Sequence, residues 1–395
     1  MTQLQIAEEL YGCARKLGNS RDKKNNLIKL PSIINDLARD IAVSKYKPSG
    51  FRVFVVVDPK LREIFAPAFR DRLAQQWLVG LIEPTIDKQF INDSFANRKE
   101  KGTHAAIKRL QHFMRQEANT HYCQIDVKSF FPTIDRTILL GLWKRWFTKL
   151  SFDAQTLFQL DYVATQIIMQ SPIDPRPIIS GRRDLLSSIP PHKSLFYAKE
   201  GIGLPIGSLS SQFFSNLYLN ELDQYIKHTL KIKSYLRYVD DMMILGNNTQ
   251  KLIRQKDKID EFLRNQLHLS LHPHKTITQR VDQGSDFLGA IVFPHHSYVR
   301  QRQVRSFRAK VDFFNRLLDP LKPPLRNTPT GGAWGKCVSQ RECYTIHHTT
   351  LKRQILATLN SYYGLFAHAK SYTIRQKLFS TMGKMSETII PANRA

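Results

Sequence analysis

Three aspartates define the chemistry open to this chain. Asp240 and Asp241 are adjacent in Tyr238-Val239-Asp240-Asp241, between Ser234-Tyr-Leu-Arg237 and Met242-Met-Ile-Leu245. Two apolar, β-type runs around an acidic centre read as strand, turn, strand. Adjacent acids there are costly unless they sit at a hairpin tip and bind a cation. An ordinary Asp-containing turn is the plainer alternative. Asp126 closes an apolar strand, residues 122–127, in Gln124-Ile-Asp126-Val127-Lys-Ser-Phe130-Phe131-Pro132, where the chain turns into a helix. Alone, it reads most simply as the N-cap of that helix. Together the two segments supply three carboxylates from neighbouring strand ends. Phosphoryl or nucleotidyl transfer needs such a set: two Mg²⁺ ions roughly 3.5–4 Å apart activate a 3′-hydroxyl and stabilise leaving pyrophosphate.

Between these segments lies Gly201-Ile-Gly203-Leu204-Pro205-Ile206-Gly207-Ser208, running into a helix through Gln212, Asn216, Tyr218 and Asp223. A Gly/Pro loop that opens a helix lets backbone approach a nucleotide or template base closely. By itself this is a weak signal and more often plain loop chemistry; its order between the two acidic segments makes it informative.

The elements that must position these residues follow from periodicity. Residues 1–50 read as a helical lead-in, with Ile6, Leu10 and Leu17 on one face and Ile33, Ile34, Leu37 and Ile41 on another. Phe51–Val57, the turn Asp58-Pro59-Lys60-Leu61 and Arg62–Phe65 predict a β-hairpin with cations at its tip. Helical periods cover 66–90, 103–117, 208–230 and 251–268, with a strand at 286–293. Pro, Ser and Lys at about 170–200 predict loops. From about 300 the pattern is helical again, 303–319, 347–366 and 371–384, with an exposed Pro/Gly loop over Pro320–Gly335. There is no internal repeat and no transmembrane pattern.

Composition narrows the partner. The chain has 395 residues, 42% hydrophobic, enough to bury cores in two or three subdomains. Its 59 Lys+Arg against 33 Asp+Glu give a formal net charge of +26, which calls for a polyanion, nucleic acid first. A membrane surface is disfavoured, because the cations are spread along the chain and no long apolar stretch exists. Met1–Asn25 lacks an apolar signal-peptide core, so a cytoplasmic location is expected. Cys13, Cys123, Cys337 and Cys343 are too few and scattered for a disulfide framework. Cys337 and Cys343 near His347 and His348 invite a zinc site, although the spacing is not a usual pairing and a loop before a helix is the simpler reading.

The ordered set Asp126-Val-Lys-Ser-Phe-Phe131, Leu204-Pro-Ile-Gly207 and Tyr238-Val-Asp-Asp241 resembles palm motifs A, B and C of reverse transcriptases. Leu269-Ser-Leu-His-Pro-His-Lys275-Thr resembles motif D, and Asp286-Phe287-Leu288-Gly289 the primer grip. The hairpin 58–64 with Arg70-Asp71-Arg72 resembles the first fingers motif, and Ser94-Phe-Ala-Asn-Arg98-Lys the second. The resemblance spans roughly residues 51–385. It implies that Asp126, Asp240 and Asp241 bind two Mg²⁺ ions, for which Mn²⁺ can substitute, with the Val127 carbonyl completing a site. Phe131 would lie under the incoming sugar and exclude a 2′-hydroxyl; core packing is the alternative, because Phe130 is adjacent. Lys60 and Arg62 would clamp the triphosphate, or simply form a solvated tip. Lys275 would be a general acid for pyrophosphate, or a surface charge. Pro205, Ile206, Gly207 and Gln212 would border the nucleotide, and Phe287, Leu288 and Gly289 the primer. Arg98, Arg302, Arg305, Arg308, Lys310, Lys352 and Arg353 would track the nucleic-acid backbone; an ordinary solvated helix face is the alternative for the later ones.

Ile206 stands where retroviral and group II intron enzymes carry Gln. The form Ile-Gly-x-x-x-Ser-Gln212, Lys101-Gly-Thr-His104-Ala and Asn360–Tyr372 are similar to reverse transcriptases of diversity-generating retroelements. That branch implies error-prone cDNA synthesis from an RNA template and a primer of DNA or RNA, with dNTPs, a structured non-coding RNA and a small basic accessory protein as partners. Stand-alone bacterial or phage-encoded defence enzymes and group II intron-type enzymes are the alternatives. A non-enzymatic RNA-binding scaffold is the rival from another class. The expected fold is a mixed α/β (α+β) right hand: lead-in 1–50, fingers 51–120, palm with an antiparallel sheet 121–300 (insertion about 150–200), and a helical thumb and tail 301–395.

Overall fold

The computed structural model describes residues 1–17, 26–57, 60–273, 275–318 and 348–367, together with positions 369, 371 and 376. They form two units, one of residues 1–102 and 122–278 and one of 103–121 and 279–395. The expected loop at 320–335, the cysteine and histidine positions 337, 343 and 347, and most of the expected helix at 371–384 lie outside the described residues.

In the first unit the lead-in forms two helices, α1 (Gln3–Lys16) and α2 (Leu30–Ala42). A reciprocal pair between Thr2 and Gln5 caps α1. Ile6, Leu10, Ile34, Leu37 and Ile41 are all buried in one large core that also takes in Trp77 and Trp143. The predicted hairpin is β1 (Phe51–Val56) and β2 (Arg62–Pro67), antiparallel from Phe51 opposite Pro67 to Val56 opposite Arg62. Next in sequence come α3 (Phe69–Ile86) and, in the second unit, α4 (Thr103–Met114).

The catalytic-type sheet follows. β3 (His121–Asp126) leads to the short α5 (Phe130–Thr133) and to α6 (Arg136–Phe147). The region expected as an insertion opens with a regular helix, α7 (Ala154–Met169), whose Leu160, Val163, Ala164 and Ile168 join the main core. The segment after it is not simply loop. It contributes β4 (Ile178–Ile179), which pairs in parallel with β1, and short 3₁₀ turns over Arg183–Leu185, Pro191–Lys193 and Leu195–Tyr197. Its anchor is the buried Glu63 of β2, whose carboxylate accepts from Ser194 Oγ at 2.8 Å and from the Leu195 amide. Leu195 joins Phe51, Val53 and Phe65 in a small separate core. The hairpin and this segment therefore fold as one piece, through tertiary contacts that local composition does not announce.

Next, α8 (Leu209–Gln224) is buried nearly all round and widens at its end into a π-turn, Tyr225–Thr229, so the predicted helix over 208–230 is present with its last turn in π geometry. There Tyr225 stacks on Phe262 with ring centres 4.3 Å apart. Strands β5 (Tyr235–Tyr238) and β6 (Asp241–Gly246), helix α9 (Thr249–Leu267) and β7 (Ile277–Arg280) complete a four-stranded sheet in the order β5-β6-β3-β7. β6 lies between two neighbours and its Met242–Leu245 run is buried, as an interior strand requires.

In the second unit the single strand expected at 286–293 is two: β8 (Ser285–Phe287) and β9 (Ala290–Val292), paired antiparallel with Phe287 opposite Ala290, and β10 (Ser297–Val299) beyond. Leu288 and Gly289 between them have φ of 50° and 88°. That is the geometry of a two-residue type I′ hairpin turn, which reverses the chain where an apolar run alone suggested continuation. Helices α10 (Gln301–Leu318) and α11 (His348–Ala367) bury Val304, Phe307, Val311, Phe314, Ile355 and Phe366 together. No described helix is long and apolar enough to cross a membrane.

Candidate active site

The β5–β6 hairpin is set by a residue that does no chemistry itself. Arg237, in the apolar strand β5, is wholly buried, with no exposed surface. A guanidinium can be buried only if it is paired and its donors are satisfied. Asp223, from α8, is equally buried; Arg237 Nε lies 2.9 and 3.0 Å from its two oxygens, and a terminal nitrogen 2.6 Å from one of them. Tyr235 donates its hydroxyl to the same carboxylate at 2.7 Å. The other terminal nitrogen donates to Asn216 Oδ1 at 3.2 Å and to the Val239 carbonyl at 3.1 Å. Burial alone would lower the Arg237 pKa, but the Asp223 carboxylate outweighs it and the group is held above its ordinary value. Asn216 in turn donates to Ala96 O at 2.8 Å, and β5 exchanges backbone bonds with Asp93 and Phe95. Residues 93–96, α8 and the acidic hairpin thus meet on one guanidinium.

This explains the turn. Tyr238 pairs with Asp241, leaving Val239 and Asp240 as the two turn residues. Val239 has φ of 54°, a conformation unfavourable for a β-branched residue, and its carbonyl is the one held by Arg237. Asp240 and Asp241 are brought to the end of the sheet beside β3, which ends at Asp126. Burial first, then the carboxylates of Asp241 and Asp126, push Asp240 up to about 7, with Lys275 opposing. The three acids expected to work together therefore share one electrostatic field. Asp126 is not a helix cap: α5 starts only at Phe130, after Ser129 in a left-handed conformation. Its backbone carbonyl accepts from the His272 amide at 2.7 Å, and its carboxylate is ion-paired with Lys275. Among the described residues no three acidic, histidine or cysteine side chains stand at ready-made metal-binding spacing. The Lys275 ammonium supplies positive charge to Asp126 instead. An all-oxygen carboxylate set with one member held up by burial and by its neighbours is chemically suited to hard divalent cations. Val127, buried, follows directly on Asp126.

The loop from motif B lies against both partners. Leu204 N donates to Phe131 O at 2.9 Å, Gly203 N to Ile134 O at 2.7 Å, and Ile206 accepts at its carbonyl from Phe65 N of β2 at 2.7 Å. Gly207 has φ of 113°, and a Cβ there would fall 2.7 Å from Ile64 Cγ2 and 3.1 Å from the Phe65 carbonyl, so only glycine fits without displacement. Pro205 is buried, Ile206 half-buried and Gln212 exposed on α8.

The adjacent aromatics divide their roles: Phe130 is buried in the core and Phe131 half-exposed beside it, ring centres 5.3 Å apart. Lys60 and Arg62 are exposed at the hairpin end, while Asp58 and Pro59 lie outside the described residues. Arg98, expected on the nucleic-acid backbone, is turned inward instead. It binds the Asp87 carboxylate at 2.6 and 3.1 Å and the carbonyls of Ile91 and Ser94 at 2.7 and 2.9 Å, so its donors clamp the fingers segment. In the second unit Phe287 is fully buried and Leu288 and Gly289 form the turn; Arg302, Arg305, Arg308 and Arg353 are exposed, Lys310 lies 5.1 Å from the Tyr362 ring centre, and the side chain of Lys352 is outside the described set. Arg237 and Asp223 were not expected in the site. Their signal was a cation inside an apolar strand and an acid inside an apolar helix, each needing the other.

Residues 57–292, more than half of the chain, match the family "Reverse transcriptase (RNA-dependent DNA polymerase)". The chain belongs to that family. It is similar to the protein YkfC of Escherichia coli K12, 24% identical over 278 residues, covering 62% of this chain and 64% of YkfC. It is also similar to the group II intron-encoded protein LtrA of Lactococcus lactis subsp. cremoris, 20% identical over 443 residues, covering 90% of this chain and 69% of LtrA. Among solved structures it is similar to apo telomerase from Candida tropicalis, with a TM-score of 0.43, 12% identity and coverage of 72% of this chain and 57% of that one. The Sicinivirus 3Dpol RNA-dependent RNA polymerase gives a TM-score of 0.41, 13% identity and coverage of 70% and 58%. The fold assignment rests on the family match and on this chain's own sheet.

Replacing Asp223 by Asn leaves the Arg237 charge buried without its counter-ion. We expect a loss of about 3–5 kcal/mol in stability, read by urea unfolding through tryptophan fluorescence. A loss below about 1 kcal/mol would show that the pair does not hold the hairpin.

Proposed function

We propose that the chain is an RNA-directed DNA polymerase that extends a DNA or RNA primer on an RNA template using dNTPs. The observation that carries this is the shared field of Asp126, Asp240 and Asp241 at adjacent strand ends, with Asp240 pushed up to about 7 by burial first and then by its two neighbours. The three carboxylates, with the Val127 carbonyl, would hold two Mg²⁺ ions. When bound, these supply Lewis-acid activation of the primer 3′-hydroxyl and neutralise charge on the α-phosphate and the departing pyrophosphate. Lys60 and Arg62, exposed at the hairpin end, bind the triphosphate. Phe131, the half-exposed ring of its pair, would lie under the incoming sugar and exclude a ribose 2′-hydroxyl. Lys275, paired with Asp126, would serve as the general acid for pyrophosphate. Arg302, Arg305, Arg308 and Arg353 contact phosphates of the template and primer.

Within the family the reading favoured here is the error-prone enzyme of a diversity-generating retroelement, working with a structured non-coding RNA and a small basic accessory protein. It is supported by Ile206 in place of Gln, which removes an amide from the surroundings of the nascent base pair. A group II intron-type enzyme is the second reading, supported by the similarity to LtrA across 90% of this chain; a stand-alone phage-defence enzyme shares the same loop.

Purified protein should incorporate dTTP on poly(rA)/oligo(dT) with Mg²⁺, and Asp240→Asn should drop to background; a wild-type protein that makes no cDNA with Mg²⁺ or Mn²⁺ overturns the reading. Phe131→Ala should admit ribonucleotides. Cation binding requires the ionised form of Asp240, and below pH 7 a proton competes. Calorimetric Mg²⁺ affinity should therefore be about tenfold weaker at pH 6 than at pH 8, and equal affinities would remove Asp240 from the metal set. Ile206→Gln should lower misincorporation at template adenines in sequenced cDNA. Unchanged error rates there would count against the retroelement branch while leaving polymerase activity standing.

A further inference from the structure

Beside the segment that carries Asp126 lies an open cleft of about 320 Å³, bounded by Lys128–Thr133 on one wall and by residues 191–202 on the other. Four of its lining residues are basic or imidazole-bearing, Lys128, His192, Lys199 and His268, and none is acidic. His268 Nδ1 lies 3.2 Å from an Asp135 carboxylate oxygen. Lys128 and Lys199 are exposed and have no carboxylate partner among the described residues. Tyr197, two-thirds exposed at 67%, offers an aromatic face on the same rim.

The walls are fixed in advance. Ser194 and Leu195 are tied to the buried Glu63, Lys128 N donates to Ser270 O at 2.9 Å, and Arg136 N to Gly201 O at 2.9 Å. Tyr197 and the two ammonium-bearing residues line one cleft. The pairing of ring and cation is the one that single-stranded nucleic acid uses, a base on the ring and its phosphate on the amine. The volume sits at the lower end of small-ligand pockets, about 300–1,000 Å³, which suits one nucleotide rather than a duplex.

We propose that this cleft binds a single nucleotide unit, base against Tyr197 and phosphate between Lys128 and Lys199, as a site separate from the three carboxylates. Two sources share that chemistry, a free nucleotide and one residue of a single-stranded RNA. The site stands on its own residues and does not depend on the polymerase reading.

The test uses the full chain with saturating primed poly(rA)/oligo(dT) present, so that the polymerase substrate is already bound. A single-stranded RNA hexamer containing 4-thiouridine is added, cross-linked by light and mapped by mass spectrometry. Cross-links are expected in the peptide bearing Tyr197 and Lys199. The double variant Tyr197→Ala, Lys199→Glu should lose at least about fivefold in cross-link yield and about tenfold in hexamer affinity by fluorescence anisotropy. Its melting temperature and dTTP incorporation should match wild type. Micromolar AMP or UMP that abolishes the cross-link assigns the site to a free nucleotide; competition only by unlabelled hexamer assigns it to a strand. Wild-type cross-links that map elsewhere overturn the proposal, as does displacement by poly-glutamate as effective as by RNA. A protein that cross-links at Tyr197 yet makes no cDNA keeps this site and refutes only the polymerase.

Discussion

Carboxylates that must converge repel one another, and the turn that brings Asp240 beside Asp241 and Asp126 is itself strained. Val239, β-branched, occupies the left-handed region, at a cost of order 1–3 kcal/mol. The Arg237 guanidinium offsets this by holding the Val239 carbonyl while its charge is met by Asp223. The same cation binds Asn216, which binds Ala96. A change at any of these positions would be felt at the acidic turn without touching a nucleotide. The ion pair is therefore better understood as a geometric device than as a source of net stability, which buried pairs seldom provide.

The second constraint runs through the fingers hairpin. β2 meets the Gly207 loop on one side, through the Phe65 amide and the close approach at Ile64, and the 190–197 segment on the other, through Glu63. Burial raises the Glu63 pKa, while the Leu195 amide and Ser194 hydroxyl pull it down; its two donors are what make an acid tolerable there. Lys60 and Arg62 thus extend from a strand anchored on both neighbours, so the exposed cations are carried on a fixed support.

The acidic hairpin was legible because two apolar runs flank it and an interior strand has no polar face to confuse the period; Asp126 was legible by the same logic. What stayed hidden depended on partners distant in sequence. β4 has two residues, and only its pairing with β1 makes it a strand. The turn at Leu288-Gly289 lacks the Asn-Gly or Asp-Gly signature, so an apolar run read as one strand. Arg98 was expected on the nucleic-acid backbone from the resemblance of residues 94–99 to a fingers motif; its neighbours Asp87, Ile91 and Ser94 decide otherwise. Phe130 and Phe131 could not be told apart in sequence, and burial separates them.

The same distinction changes the meaning of the net charge. A formal +26 suggests a surface covered in phosphate contacts. Yet Arg237 is enclosed, Arg98 is consumed by Asp87 and its neighbouring carbonyls, and Arg136 is buried with a terminal nitrogen on the carbonyls of Met169 and Gln170 at 2.9 and 2.5 Å. These arginines act as forked donors that fasten backbone where the fold has unpaired carbonyls, a task for which a planar guanidinium is better shaped than an ammonium. Most of the described cations do lie outside, among them Lys60 and Arg62 at the hairpin, Lys128 and Lys199 at the cleft, and Arg302, Arg305 and Arg308 along α10. Affinity for nucleic acid scales with cations that release counter-ions from phosphate, so it is set by the exposed cations, while the enclosed arginines hold the acidic turn and the backbone around residues 87–98 and 169–170 in place.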